Sequence, residues 1–153
     1  MIVKGAAHAD VAEAAAVAVR SYRQAFRSIL SEEILAARDA AFFADRFEAS
    51  LDRLRVAHRN GRVVGFSLVT DGHIDMLFVD PESAGTGAGR ALLRDAERRG
   101  ATSLECFRDN IPARCFYEKQ GWTIEREYER DFLGERRMFV LFVRPGAVTA
   151  AQS

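Results

Sequence analysis

The chain has 153 residues, enough for one domain that buries roughly 70% of its unfolded surface. Hydrophobic residues make up 48% and charged residues 29%, which excludes a disordered chain. Lys+Arg and Asp+Glu both number 22, so a nucleic-acid polyanion is not expected as the main partner, and no apolar run is long enough to span a membrane.

In chain order, Ile2 to Ala6 reads as a short first strand. Asp10 is positioned to cap a helix running to about Phe26, with Val11, Ala15, Ala18 and Tyr22 on one stripe. Asp10, Glu13 and Arg20 interrupt this Ala-rich stretch, so it does not fit a signal-peptide core. A second helical region begins at Ser31-Glu32-Glu33, and its Phe42, Phe43 and Phe47 face either the core or a cleft. Three strands follow: Arg53 to Arg59, Arg62 to Thr70 and His73 to Val79. Asn60-Gly61 and Asp71-Gly72 between them suit tight hairpin turns, so the three form an antiparallel meander.

Pro81 ends the meander, and a glycine-rich loop opens a helix from about Gly87 to Arg99, with Ala88, Leu92 and Ala96 buried. Thr102 to Phe107 reads as a buried strand, and Pro112 sits in the first turn of a short helix that ends at Gly121. Trp122 to Arg130 alternates, with Trp122, Ile124 and Tyr128 on one side and Thr123, Glu125, Glu127 and Glu129 on the other. A turn at Leu133-Gly134-Glu135 leads to a last strand, Met138 to Val143. The expected fold class is α/β of the α+β type. It is a single domain over residues 1–145, with a mostly antiparallel mixed sheet of about seven strands, about four helices and a flexible tail at 146–153.

Two segments carry chemistry. In the first, a strand ending Leu77-Phe78-Val79 feeds the loop Ala84-Gly85-Thr86-Gly87-Ala88-Gly89-Arg90, and the loop feeds a helix. Alternating glycines let backbone approach an anion, and free N–H groups at a helix start donate to it. No Lys follows the loop, which excludes a P-loop. A dinucleotide fingerprint fails in both registers, because Arg90 or Leu92 falls at the third glycine, although Glu105 lies about where a ribose-binding acid would be. The second segment, Asn110 to Trp122, places Asn110, Ala113 and Tyr117 on one helix face. Cys106 and Cys115 have neither metal spacing nor an evident histidine partner, and His8, His58 and His73 are scattered. No metal is expected, and a reduced cytoplasmic compartment fits the thiols.

Together the two segments resemble the GNAT acetyltransferase superfamily. Its Val-x-Pro, (Gln/Arg)-x-x-Gly-x-(Gly/Ala) and Asn-x-x-Ala-x-x-(Phe/Leu)-Tyr-x-x-x-Gly-(Phe/Trp) signatures are matched by Val79, Pro81, Gly87, Gly89, Asn110, Ala113, Phe116, Tyr117, Gly121 and Trp122. The resemblance implies N-acetyl transfer from acetyl-CoA to an amine, with the cofactor between the strands His73–Val79 and Thr102–Phe107. Its pantetheine arm would run along Leu77, Phe78 and Val79. Its pyrophosphate would sit on the backbone of Gly85, Thr86, Gly87, Ala88, Gly89 and Arg90, with Asn110, Ala113 and Phe116 alongside. Ala84 departs from the family pattern, which has Gln or Arg there.

Tyr117 would protonate the departing thiolate. Asp75 is the first candidate for the base, on a strand face shared with Leu77 and Val79, and His73 is the second. The acceptor, a small-molecule amine or a peptide amine, would be bound by Ser31 to Ser50 and the Arg130–Arg137 turn, where Glu32, Glu33, Asp39 and Glu48 suit a cation. A homodimer is left open. The alternative reading is a non-catalytic acyl-CoA-binding sensor of the same fold.

Overall fold

The computed structural model describes residues 1–146. The expected tail at 146–153 therefore lies, from residue 147 on, outside the described residues. Strand β1 (Ile2–Gly5) leads through a single 3-10 turn into helix α1 (Val11–Phe26), followed by α2 (Glu32–Ala37) and α3 (Ala40–Ala49). The meander is β2 (Leu54–Arg59), β3 (Arg62–Thr70) and β4 (His73–Val79). After it come α4 (Ala88–Arg98), β5 (Ser103–Phe107), α5 (Ile111–Lys119), β6 (Thr123–Phe132) and β7 (Glu135–Val143).

The strands form one seven-stranded sheet in the order β1-β2-β3-β4-β5-β7-β6. Every pair is antiparallel except β4–β5, which α4 connects as a crossover. That parallel pair holds register only at His73↔Ser103 and Ile74↔Leu104, and beyond these residues the strands part. Helices cover both faces. On one, α1 and α3 pack Val17, Phe43 and Phe47 against Leu54, Phe66 and Leu68, and the layer continues to Phe107 and Phe139. On the other, Leu93, Ala96, Tyr117 and Trp122 pack against Ile74, Leu104, Val140 and Phe142.

Local signals account for most boundaries. Asn60 and Gly61 have φ 54° and 78°, and Asp71 and Gly72 have 49° and 80°, the left-handed pair that a tight hairpin turn requires. The described residues form five helices rather than about four because the second helical region breaks at Asp39, whose carboxylate accepts from Phe42 N–H at 2.9 Å and starts a new helix. Phe43 and Phe47 are core, while Phe42 is half-buried under the Arg38 guanidinium, 4.1 Å from its ring centroid. Asp10 precedes α1 but makes no cap bond. Its carboxylate accepts instead from Ala7 N–H at 2.8 Å and meets His58 Nε2 at 3.2 Å.

Two bulges overturn simple alternation. In β6 the register passes from Ile124↔Phe142 to Arg126↔Leu141, leaving Glu125 as an extra residue. Tyr128, opposite Phe139, therefore faces the α1 layer, while Ile124, opposite Phe142, lies on the other side. Trp122 is outside the strand and buried, with its indole N–H donating to Glu97 at 2.8 Å. In β4 the register passes from Leu68↔Met76 to Val69↔Ile74, which leaves Asp75 unpaired in the ladder. Ile74, not Asp75, thus joins Leu77 on the α4–α5 side.

Candidate active site

Where β4 and β5 part, a cleft of about 830 Å³ opens between them. Because both helical layers reach this gap, the cleft is walled from both faces of the sheet. The last turns of α1 (Ser21, Gln24, Ala25) with Arg130 and Phe132 close one side, and Gly89, Ala113, Phe116 and Tyr117 close the other. Beyond Ile74 the edge of β4 that faces β5 has no strand partner, so Leu77, Phe78 and Val79 border the cleft with backbone groups open to a ligand.

A stepped turn at the end of β4 delivers the chain to α4. Asp80 accepts from Glu82 N–H at 3.1 Å and caps the turn Pro81–Ser83, and the Thr86 hydroxyl donates to Ser83 C=O at 2.7 Å. Gly85 and Gly87 adopt φ 78° and 90°, with nothing within 4 Å of where a Cβ would stand. Gly87 caps α4 without a side-chain bond, so the N–H groups of the first turn are free to meet an anion. Gly89 does a different job: a Cβ there would stand 3.3 Å from the Phe116 ring and 3.6 Å from Val79. Its bare Cα lets α4, α5 and β4 converge. Ala84 and Gly89 line the cleft, while Gly85, Thr86 and Gly87 in the turn and Ala88 and Arg90 in the first turn of α4 are not among its lining residues.

Asn110 borders the cleft but spends its side-chain oxygen capping α5, accepting from Ala113 N–H at 3.3 Å. The Tyr117 ring is 7% exposed, packed against Phe116, Trp122 and Phe142. Tyr117 lines the cleft, its hydroxyl has no hydrogen-bond partner among the described residues, and burial pushes its pKa above the ordinary phenol value. Cys106 also borders the cleft, but burial pushes its thiol up to about 12, which leaves no useful thiolate.

Asp75 lines the cleft as an exposed carboxylate that accepts from the Thr70 hydroxyl at 2.5 Å. His73 is not among the lining residues, and its Nδ1 lies 2.8 Å from Ser103 Oγ across the strand pair. The region expected to hold the acceptor contributes nothing to the cleft, since no residue from Ser31 to Ser50 lines it. Three of its acids have partners elsewhere: Glu32 pairs with Arg23, Glu48 with His8, and Asp39 caps α3. The C-terminal turns of α1 occupy that place instead, and of the Arg130–Arg137 segment Arg130 and Phe132 contribute.

The sequence names Glu105 only as the acid a dinucleotide site would want; the structure makes it a lining residue of this cleft. Glu105 accepts from both Nε (2.9 Å) and Nη2 of Arg130 and from the Tyr128 hydroxyl. Burial by itself would raise the Glu105 pKa, but the bonds from Arg130 and Tyr128 outweigh it and hold the carboxyl below its usual range. Burial and the bond to Glu105 push Tyr128 up to about 12. Arg130 also lies over the Phe139 ring at 4.1 Å. The available signal was a lone acid inside the apolar strand Leu104–Phe107, with Tyr128 and Arg130 two residues apart on a later strand.

Comparison with known proteins identifies the family and the fold. A family model described as an acetyltransferase (GNAT) domain matches residues 11–140. The peptidyl-lysine N-acetyltransferase YjaB of Salmonella typhimurium is 36% identical over 73 residues, 47% of this chain and 50% of the relative. The chain thus spans about half the length of the curated relatives it matches. The solution structure of apo-form YjaB from Escherichia coli superposes with a TM-score of 0.74 at 28% identity, covering 95% of this chain and 99% of that one. A GCN5-related N-acetyltransferase from Rhodopseudomonas palustris gives 0.71 at 30% identity, with 94% of both chains covered. PaiA N-acetyltransferase from Thermoplasma acidophilum, in complex with coenzyme A, shares the fold at a TM-score of 0.74 and 17% identity, covering 94% of this chain and 98% of that one.

Proposed function

This chain belongs to the GNAT acetyltransferase family, and on that premise we propose that it transfers an acetyl group from acetyl-CoA to a primary amine within a ternary complex. The reading is carried by the parting of β4 from β5, which joins an unpaired strand edge, Gly89 at the start of α4 and Tyr117 in one cleft. The residues present suit the cofactor. The open edge at Leu77–Val79 is complementary to an amide-bearing arm, and the free N–H groups of α4 to a pyrophosphate. When bound, acetyl-CoA supplies the activated thioester.

The protein's own groups would manage protons and position. Tyr117, protonated at any working pH, donates toward the sulfur as the thiol leaves. Asp75 is the proposed base, since Thr70 is the one partner its carboxylate has among the described side chains and it stands open to solvent at the cleft. Glu105, with its oxygens engaged by Arg130 and Tyr128, shapes the acceptor wall. Phe26, Phe107 and Phe132 line the same side and suit the methylene stem of an amine such as a lysine side chain. That class matches the peptidyl-lysine acceptors named for the YjaB relatives, and small primary amines remain in the same range of acceptors. No helix among the described residues is long and apolar enough to cross a membrane, and two free thiols suit a cytoplasmic setting.

Acetyl-CoA at ten times its dissociation constant is expected to add about 1.4 kcal/mol, a melting shift of roughly 3–6 °C, while NAD(P), ATP and GTP give none. A panel of amines and lysine peptides, read by release of free thiol, then identifies the acceptor. A shift with NAD(P) and none with any CoA species would reject the proposal. Binding of acetyl-CoA with no acceptor across the panel would favour the sensor. With an acceptor in hand, Asp75→Asn is expected to depress the rate mainly at lower pH, where more of the amine arrives protonated. If Glu105→Gln shows that pattern and Asp75→Asn does not, the base is Glu105.

A further inference from the structure

Asp80 stands between the last cleft-lining residue of β4 and the turn that leads to Gly85. It is 7% exposed, deeper than a carboxylate in a plain turn needs to be. Its backbone is tied twice: its N–H donates to Val64 C=O at 2.8 Å, and its C=O accepts from Ser83 N–H at 2.8 Å. Its side chain accepts from Glu82 N–H at 3.1 Å and from Arg20, through Nη2 at 2.5 Å and Nε at 3.4 Å. Arg20 comes from α1, 60 residues earlier, and Ser21, Gln24 and Ala25 of the following turn form the opposite wall of the cleft.

We propose that Arg20 and Asp80 are positioning residues for the cofactor turn: their ion pair sets Pro81–Gly87 at a fixed height over the cleft and locks it to the helix that forms the acceptor wall. A capped turn alone would need only the Asp80–Glu82 bond and Pro81. The charge supplied from α1 adds a long-range tie at the point where a small rotation of the chain would move every N–H of the α4 start. Asp80 is kept ionised by the same contact, since the Arg20 bond holds its carboxyl below the usual range. Neither residue lines the cleft. Their influence falls on where the phosphates sit, not on acid–base chemistry.

This inference rests on acetyl-CoA binding at the turn, so the wild-type protein is titrated first with CoA alone by calorimetry. Absence of binding there rejects the cofactor reading and this inference with it. Where wild type binds, Asp80→Asn and Arg20→Gln are each expected to raise the dissociation constant for CoA, and the KM for acetyl-CoA, roughly tenfold, in keeping with loss of a charge-assisted bond. The kcat at saturation should stay within about twofold, and Arg20→Lys should recover part of the affinity through a single bond. Arg20 is half-exposed, so its variants test the idea even if Asp80→Asn folds poorly. An unchanged CoA affinity in folded Arg20→Gln, whatever its melting temperature, would reduce the pair to a structural contact and overturn the inference.

Discussion

Replacing Tyr117 by Phe is expected to lower kcat by roughly 10²-fold while leaving the affinity for acetyl-CoA near that of the wild type. A hundredfold loss corresponds to about 2.7 kcal/mol of transition-state stabilisation, within the usual range for one general acid. The ring is the structural part of this residue: it packs against Phe116, Trp122 and Phe142, and Phe keeps all three contacts. The hydroxyl is the chemical part. It has no hydrogen-bond partner among the described residues, so its removal leaves no protein group unsatisfied. Burial holds its pKa above the ordinary phenol value, which keeps the hydroxyl protonated, with its proton available, through the whole working range. Calorimetric titration with acetyl-CoA and steady-state rates on the identified acceptor separate the two parts. Unchanged kcat would remove the acid role, and a matching loss of binding would mean that the hydroxyl holds the ground state.

Gly89→Val is expected to weaken CoA binding by roughly 10²-fold or more, the scale at which a displacement near 1 Å disrupts a positioned ligand. A Cβ at this position would already stand 3.3 Å from the Phe116 ring, tighter than ordinary contact, and 3.6 Å from Val79. The two γ-carbons of valine extend further, so they press the start of α4 apart from Val79 and the Phe116 ring, and the phosphate-facing N–H groups shift with the helix. Overpacking of this kind costs about 1–3 kcal/mol, a loss a domain of this size can survive folded. Gly85→Ala is the instructive control. Its Cβ meets nothing within 4 Å, but φ of 78° strains any L-residue, so its effect acts through loop conformation rather than through collision. Normal CoA affinity in a folded Gly89→Val protein would place the phosphates elsewhere.

What could be read from the residues in order was whatever depends on near neighbours. The meander follows from Asn60-Gly61 and Asp71-Gly72, because a hairpin turn is decided by four residues. The stripe of α1 and the start of α5 at Asn110-Ile111-Pro112 follow from helical period and capping. The glycine turn was recognisable too, although its three glycines looked alike. Only packing distinguishes Gly89, set against Phe116, from Gly85 and Gly87, which stand in open space with left-handed backbones.

Tertiary structure decided everything that depends on register or on partners far along the chain. Alternation placed Asp75 beside Leu77 and Val79, and a one-residue bulge gave that face to Ile74, since a slip of one residue reverses the side on which a side chain stands. The same physics separated Ile124 from Tyr128. That bulge leaves Tyr128 and Arg130 on the α1 face, within reach of Glu105, more than twenty residues earlier. The Arg20–Asp80 pair spans 60 residues. No local period reports such distances, because an ion pair is written in the chain only as two charges among many. The cleft itself exists because β4 and β5 keep only two paired positions, and the pairing ends at Ile74, where the bulge at Asp75 interrupts β4.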